Sequence, residues 1–101
     1  MRDVVLLTGA TSGLGRWLAP RLGTAGLTVL VHGRDPAKVA RTVAEVAATG
    51  ADADGYVADL ASLADCARLA AEVAARGDLT ILVNNAGVGL RTARGFTRAV
   101  P

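Results

Sequence analysis

A single cysteine, Cys66, and a single histidine, His32, leave this chain with no internal disulfide, and the two fall on segments too far apart in the pattern to share a metal. No metal site is expected, and Cys66 reads as helix packing. Aromatic residues are equally scarce, with one Phe, one Trp and one Tyr. The core must therefore be built from Ala, Val and Leu, as it is in parallel sheets covered by helices. No apolar run approaches the roughly 18 residues of a membrane span. The first such run, residues 4–7, leads into glycines rather than a cleavage site, so neither a membrane anchor nor a signal peptide is expected. The location this implies is cytoplasmic. Charge is thin as well, at a net +2. Arg91, Arg94 and Arg98 form an acid-free stretch that reads as solvated charge, and no nucleic-acid partner is expected.

What is present alternates. At 101 residues the chain has room for one domain, and strand-like and helix-like pieces follow one another with the regularity of βαβ units. Residues 3–8 read as a strand. A helix then carries Leu14, Trp17, Leu18, Leu22 and Ala25 at helical spacing as its inward face, with Pro20 expected to kink or loosen it. A second strand covers residues 27–32. Asp35 and Pro36 are a good N-cap and first residue for a helix reaching about residue 49, with Val39, Val43, Val46 and Ala47 inward. Residues 53–58 form a third strand. Ser62 caps a third helix to about Arg76, whose stripe is Leu63, Ala67, Leu69, Ala70 and Val73. A fourth strand spans residues 79–83. Right-handed crossovers arrange these strands as 3-2-1-4, a three-layer, Rossmann-like α/β sheet that is half of a doubly wound domain. Residues 1–87 make up this half domain, and residues 88–101 read as an irregular basic tail.

The chemistry concentrates at the turn between the first strand and the first helix, Thr8-Gly9-Ala10-Thr11-Ser12-Gly13-Leu14-Gly15. Gly9 allows a sharp exit from the strand, Gly13 lets a ligand approach the backbone, and Gly15 lets helix and strand pack closely. Free helix N–H groups and the Ser12 hydroxyl favour a phosphate, and a dinucleotide pyrophosphate is the natural guest. The plain alternative is a glycine-rich turn that binds nothing. The Lys-Ser/Thr ending of a P-loop is missing.

The spacing Gly-x-x-x-Gly-x-Gly after Thr8, with Asp59-Leu60 after the third strand and Asn84-Asn85-Ala86-Gly87 after the fourth, resembles the short-chain dehydrogenase/reductase family up to about Gly87. The resemblance implies that Gly9, Ala10, Thr11, Ser12, Gly13 and Leu14 hold the cofactor pyrophosphate. It implies that Asp59 and Leu60 meet the adenine ring, and that Asn85, Ala86 and Gly87 line the nicotinamide ribose. NAD-binding proteins place an acid about 20 residues beyond the glycines to hold the ribose 2′-hydroxyl. Gly33 stands there instead, followed by Arg34, whose guanidinium can pair with a 2′-phosphate. NADP(H) is therefore expected over NAD(H), the alternative for Arg34 being a surface pair with Asp35.

The family's reaction is hydride transfer between a carbonyl/alcohol pair and the nicotinamide, using a Ser and a Tyr-x-x-x-Lys pair. Here Tyr56 is the only Tyr and Lys38 the only Lys, at the wrong spacing, so no catalytic residue is assigned. The family pattern fades after Gly87 and the chain stops at residue 101, as a truncated or frameshifted frame or a fragment would. Three readings stand: a cofactor-binding half of an oxidoreductase without activity of its own, an interaction or regulatory fragment that self-associates through its fourth strand, and a degenerate truncated product.

Overall fold

Successive side chains of a strand point to opposite faces, so an unbroken apolar strand needs cover on both. The computed structural model describes residues 2–86 of the chain. In it β1 (Val4–Leu7) packs Val5 and Leu7 with Ala19, Val29, Val31, Val39 and Val46, and Val4 and Leu6 with Leu30, Leu69 and Val73. The chain continues through α1 (Gly13–Thr24), β2 (Thr28–Gly33), α2 (Pro36–Ala47), β3 (Ala53–Val57), α3 (Leu63–Arg76) and β4 (Ile81–Val83). All strand pairs are parallel, in the order β3-β2-β1-β4, with Val5 opposite Val29 on one side and Ile81 on the other. Helices α1 and α2 cover one face and α3 the other. This is the expected three-layer Rossmann-like α/β arrangement, in the form of a partial domain.

Local signals set the helix ends. The Asp35 carboxylate accepts from the Ala37 amide at 2.9 Å, and Ser62 Oγ accepts from the Asp65 amide at 3.1 Å. Pro36 begins α2, and Gly77 closes α3 in the left-handed conformation. Helix α2 stops at Ala47, where the amides of Thr49 and Gly50 turn back three residues to the Val46 and Ala47 carbonyls. Strand β4 is shorter than expected: Leu79 precedes it, and Thr80 spends its amide on the Val4 carbonyl and its hydroxyl oxygen on the Val4 amide.

The inward faces needed correction. On α1 the buried residues are Gly15, Ala19 and Gly23, with Leu18 and Leu22 partly buried beside them. Leu14 and Trp17 are 66% and 54% exposed, and Ala25 is also outside the core. Small residues take the inner row because neighbouring segments approach closely there: a Cβ on Gly15 would overlap the Gly9 carbonyl oxygen, and one on Gly23 would come within 2.7 Å of Thr49 Oγ1 and 3.1 Å of the Val46 side chain. Trp17 instead lies under the Arg21 guanidinium, 4.0 Å from its ring centroid. Helix α1 runs on through Pro20 without an interruption. On α2, Thr42 is buried and Ala47 exposed. On α3 only the i, i+4 pair Leu69 and Val73 is buried, while Leu63, Ala67 and Ala70 face outward.

Candidate functional site

Thr8, at the end of β1, is buried and uses its whole hydrogen-bonding capacity across the sheet. Its Oγ1 accepts from the amides of Asn85 at 2.9 Å and Ala86 at 3.1 Å, and donates to Asn84 Oδ1 at 3.1 Å. Asn85 returns a bond from Nδ2 to the Gly9 carbonyl at 3.1 Å. A Cβ on Gly15 would overlap that same carbonyl oxygen and stand 2.7 Å from Asn85 Nδ2. The turn after β1, the turn after β4 and the first residues of α1 are thereby one packed unit.

Of the three helices among the described residues, two are capped by a side chain and α1 is not. Its N-cap Ser12 is extended and makes no side-chain capping bond, and no acid sits in the first turn. The donors at this helix start are not spent on Ser12, and its hydroxyl is not spent on them. Gly13 follows at φ +53°, and the position its Cβ would take has nothing within 4 Å. The result is an open cradle at the positive end of a helix, which suits an anion. The residues present fit a pyrophosphate.

Beside this cradle, the ends of β2 and α2 shape a second region. A Cβ on Gly33 would stand 2.5 Å from Thr11 Cγ2 and 3.0 Å from Val39 Cγ2. Arg41 on α2 donates from Nη2 to the Thr11 carbonyl at 2.7 Å, and its buried Nε has no partner among the described residues. Arg34 is exposed and makes no ion pair among the described residues, while Asp35 uses its carboxylate on α2. At the end of β3, the Asp59 amide donates to Asp65 Oδ2 at 2.7 Å and Asp59 Oδ1 accepts from the Ala61 amide at 3.0 Å. The Leu60 carbonyl accepts from the Cys66 thiol at 3.3 Å.

Behind the cradle, α1 is tied to α2 by Arg16, whose Nε and Nη2 donate to the two Glu45 oxygens at 3.1 and 2.6 Å. These hydrogen bonds hold the Glu45 carboxyl below the usual carboxylate range and raise the Arg16 guanidinium.

The structure thus joins Asn85 and Ala86 to Thr8 and Gly9 at the start of the glycine turn, and sets Arg34, Asp59 and Leu60 after the carboxyl ends of the neighbouring strands β2 and β3. Gly87 and the tail of residues 88–101 lie outside the described residues. Sequence reasoning missed His32 and Arg41, both of which bond to the glycine turn. The signal available for His32 was a lone polar residue closing an apolar strand. Tyr56 lies on β3 and Lys38 on α2, so they share no helix face.

The short chain dehydrogenase family model matches residues 3–99. The chain belongs to the short-chain dehydrogenase/reductase family. NAD(P)-dependent oxidoreductase chemistry and nicotinamide dinucleotide binding are common properties of that family. Among relatives of this short-chain dehydrogenase/reductase, a Streptomyces violaceoruber protein assigned as ketoacyl reductase 1 of the granaticin polyketide synthase is 45% identical over 98% of this chain and 36% of its own length. A variant of the actinorhodin polyketide ketoreductase, solved with NADPH, superimposes with a TM-score of 0.78 and 41% identity over 85% of this chain and 33% of its own. A metagenomic short-chain oxidoreductase in complex with NADP gives 0.78 and 38% over 85% and 39%. The chain spans about a third of the length of the curated relatives it matches. Among the described residues no helix is long and apolar enough to cross a membrane, and no group of three or more His, Cys, Asp or Glu could hold a metal.

Proposed function

We propose that this chain is the cofactor-binding part of an NADP(H)-dependent short-chain oxidoreductase acting on a carbonyl/alcohol pair. The observation that carries the reading is the uncapped start of α1 beside the open cradle at Gly13. Ser12, Gly13 and Leu14 hold the pyrophosphate there, on a turn formed by Gly9, Ala10 and Thr11. Asp59 and Leu60 take the adenine side, and Asn85, Ala86 and Gly87 the nicotinamide ribose. Gly33 leaves no room for an acid while Thr11 and Val39 keep their places, and Arg34, which has no ion-pair partner among the described residues, supplies a cation for a 2′-phosphate. Together these favour NADP(H) over NAD(H). The bound nicotinamide supplies the hydride, and ketoreductases among the relatives favour carbonyl reduction as the direction.

Without a Tyr-x-x-x-Lys pair no side chain here is assigned to give or take the substrate proton, a contribution worth about 10²–10⁴ in rate. Isothermal titration of the 101-residue chain with NADPH and then NADH tests the reading. Tighter binding of NADPH, with no NADPH consumption in the presence of ketone substrates, is the expected result. Absence of binding, or equal affinity for both nucleotides, counts against it.

A second reading, self-association, has its own observation. Strand β4 is one of the two sheet edges among the described residues, and Leu82 is 60% exposed on it. An edge of this kind offers unpaired backbone groups to a second copy.

A further inference from the structure

His32 is 2% exposed and lies one residue before the end of the apolar strand β2, between the two strands whose ends carry the candidate cofactor residues. Its ring meets main-chain atoms at both nitrogens. The Gly9 amide donates to Nδ1 at 3.0 Å, and Nε2 lies 2.9 Å from the Ala58 carbonyl oxygen. A backbone N–H can only donate and a carbonyl can only accept, so the partners assign the neutral Nε2–H tautomer. The His32 carbonyl also accepts from the Ala10 amide at 2.8 Å, so one residue holds two consecutive amides of the glycine turn.

We propose that His32 is a positioning residue for the dinucleotide. It locks the phosphate-binding turn after β1 and the adenine-side turn after β3 into one relative placement through a single fixed tautomer. Gly9 and Ala10 set the direction in which the chain reaches Ser12 and Gly13, and Ala58 directly precedes Asp59 and Leu60. With the ring removed, the Gly9 donor and the Ala58 acceptor are both left without that partner in a buried place, where such groups are costly. The two turns are then free to shift independently, and a ligand that must touch both loses affinity.

The inference rests on the dinucleotide reading above, and its test separates the two. Imidazole ¹⁵N shifts of the 101-residue chain read the tautomer without any nucleotide, and the Nε2–H form is expected. Three variants then divide the contacts. His32→Asn keeps an acceptor near the Nδ1 position, His32→Gln reaches toward the Nε2 position, and His32→Leu keeps neither. Exchange of the Gly9 amide proton should stay slow in His32→Asn and rise at least tenfold in His32→Gln and His32→Leu. NADPH affinity should stay within about threefold of wild type in His32→Asn and fall about tenfold or more in His32→Leu, as expected for loss of one to two hydrogen bonds. An Nδ1–H tautomer, or a His32→Leu chain with protected Gly9 and unchanged affinity, overturns the proposal. A wild-type chain that ignores NADPH removes the dinucleotide reading and the role in binding with it, while the tautomer and Gly9 exchange still decide whether His32 holds the turn.

Discussion

Thr11 packs its methyl group into the space that a side chain at Gly33 would fill, with Cγ2 only 2.5 Å from where that Cβ would stand. The strand end that could carry an acid toward a ribose 2′-hydroxyl is thereby closed by the glycine turn itself. The next residue, Arg34, is an exposed cation with no carboxylate partner among the described residues.

Arg34→Ala should therefore erase the preference for NADPH over NADH. A charge-assisted bond to a phosphate is worth about 1.5–3 kcal/mol, or roughly ten- to hundredfold in affinity. Calorimetry with both nucleotides checks it, and unchanged discrimination in the variant removes Arg34 from the site.

Two glycines of one motif should fail differently. Gly15→Ala forces a methyl into the Gly9 carbonyl and the Asn85 amide, and overpacking of this kind costs about 1–3 kcal/mol. Gly13→Ala meets no neighbour, so its cost is the left-handed backbone, about 1–2 kcal/mol. Its methyl also enters the cradle, so nucleotide binding should drop further than the stability loss explains. Urea midpoints and NADPH titrations measured side by side separate the two effects, and an equal ratio of stability to affinity loss in both variants sinks the distinction.

Leu82→Lys should lower self-association without lowering stability by more than a few tenths of a kcal/mol, since the side chain is mostly exposed. Sedimentation at tens of micromolar reads the change. A wild-type chain that is already a monodisperse monomer rules out the edge as an interface.

The Arg16–Glu45 pair gives a pH dependence of known sign. Its folded Glu45 titrates below the range of an unfolded glutamate, so the tie between α1 and α2 contributes fully above that unfolded range and is lost as pH falls through the lowered value. A carbon-detected titration of the Glu45 carboxyl should give a midpoint below the ordinary range that rises in Arg16→Gln. High salt should weaken the effect, since the pair is partly exposed. A midpoint that is ordinary in wild type contradicts the pairing.

Much of the fold was legible because its determinants are local. Asp35-Pro36 and Ser62 start helices through bonds that reach two or three residues ahead, and Gly77 ends one through its own backbone conformation. Four strand-like segments separated by such signals, with parallel connections, leave few arrangements of the sheet. The glycine turn was legible too, as a motif whose spacing is itself local.

Which side of a helix faces inward was decided elsewhere. Periodicity favoured Leu14 and Trp17 on α1, yet Gly15, Ala19 and Gly23 lie inside, because the turn at Gly9 and the end of α2 approach too closely for anything larger. The same holds for polar residues whose partners are distant in sequence. His32 acquires its role from Gly9 and Ala58, and Arg41 from Thr11, each more than twenty positions away. A hydrogen bond depends on direction and on burial together, and neither exists for these residues until β2 lies between β1 and β3 and α2 lies against the turn. The sequence by itself determined the elements, their order and the glycine turn; only the tertiary structure decided which small residues that turn needs beneath it and which polar residues hold it in place.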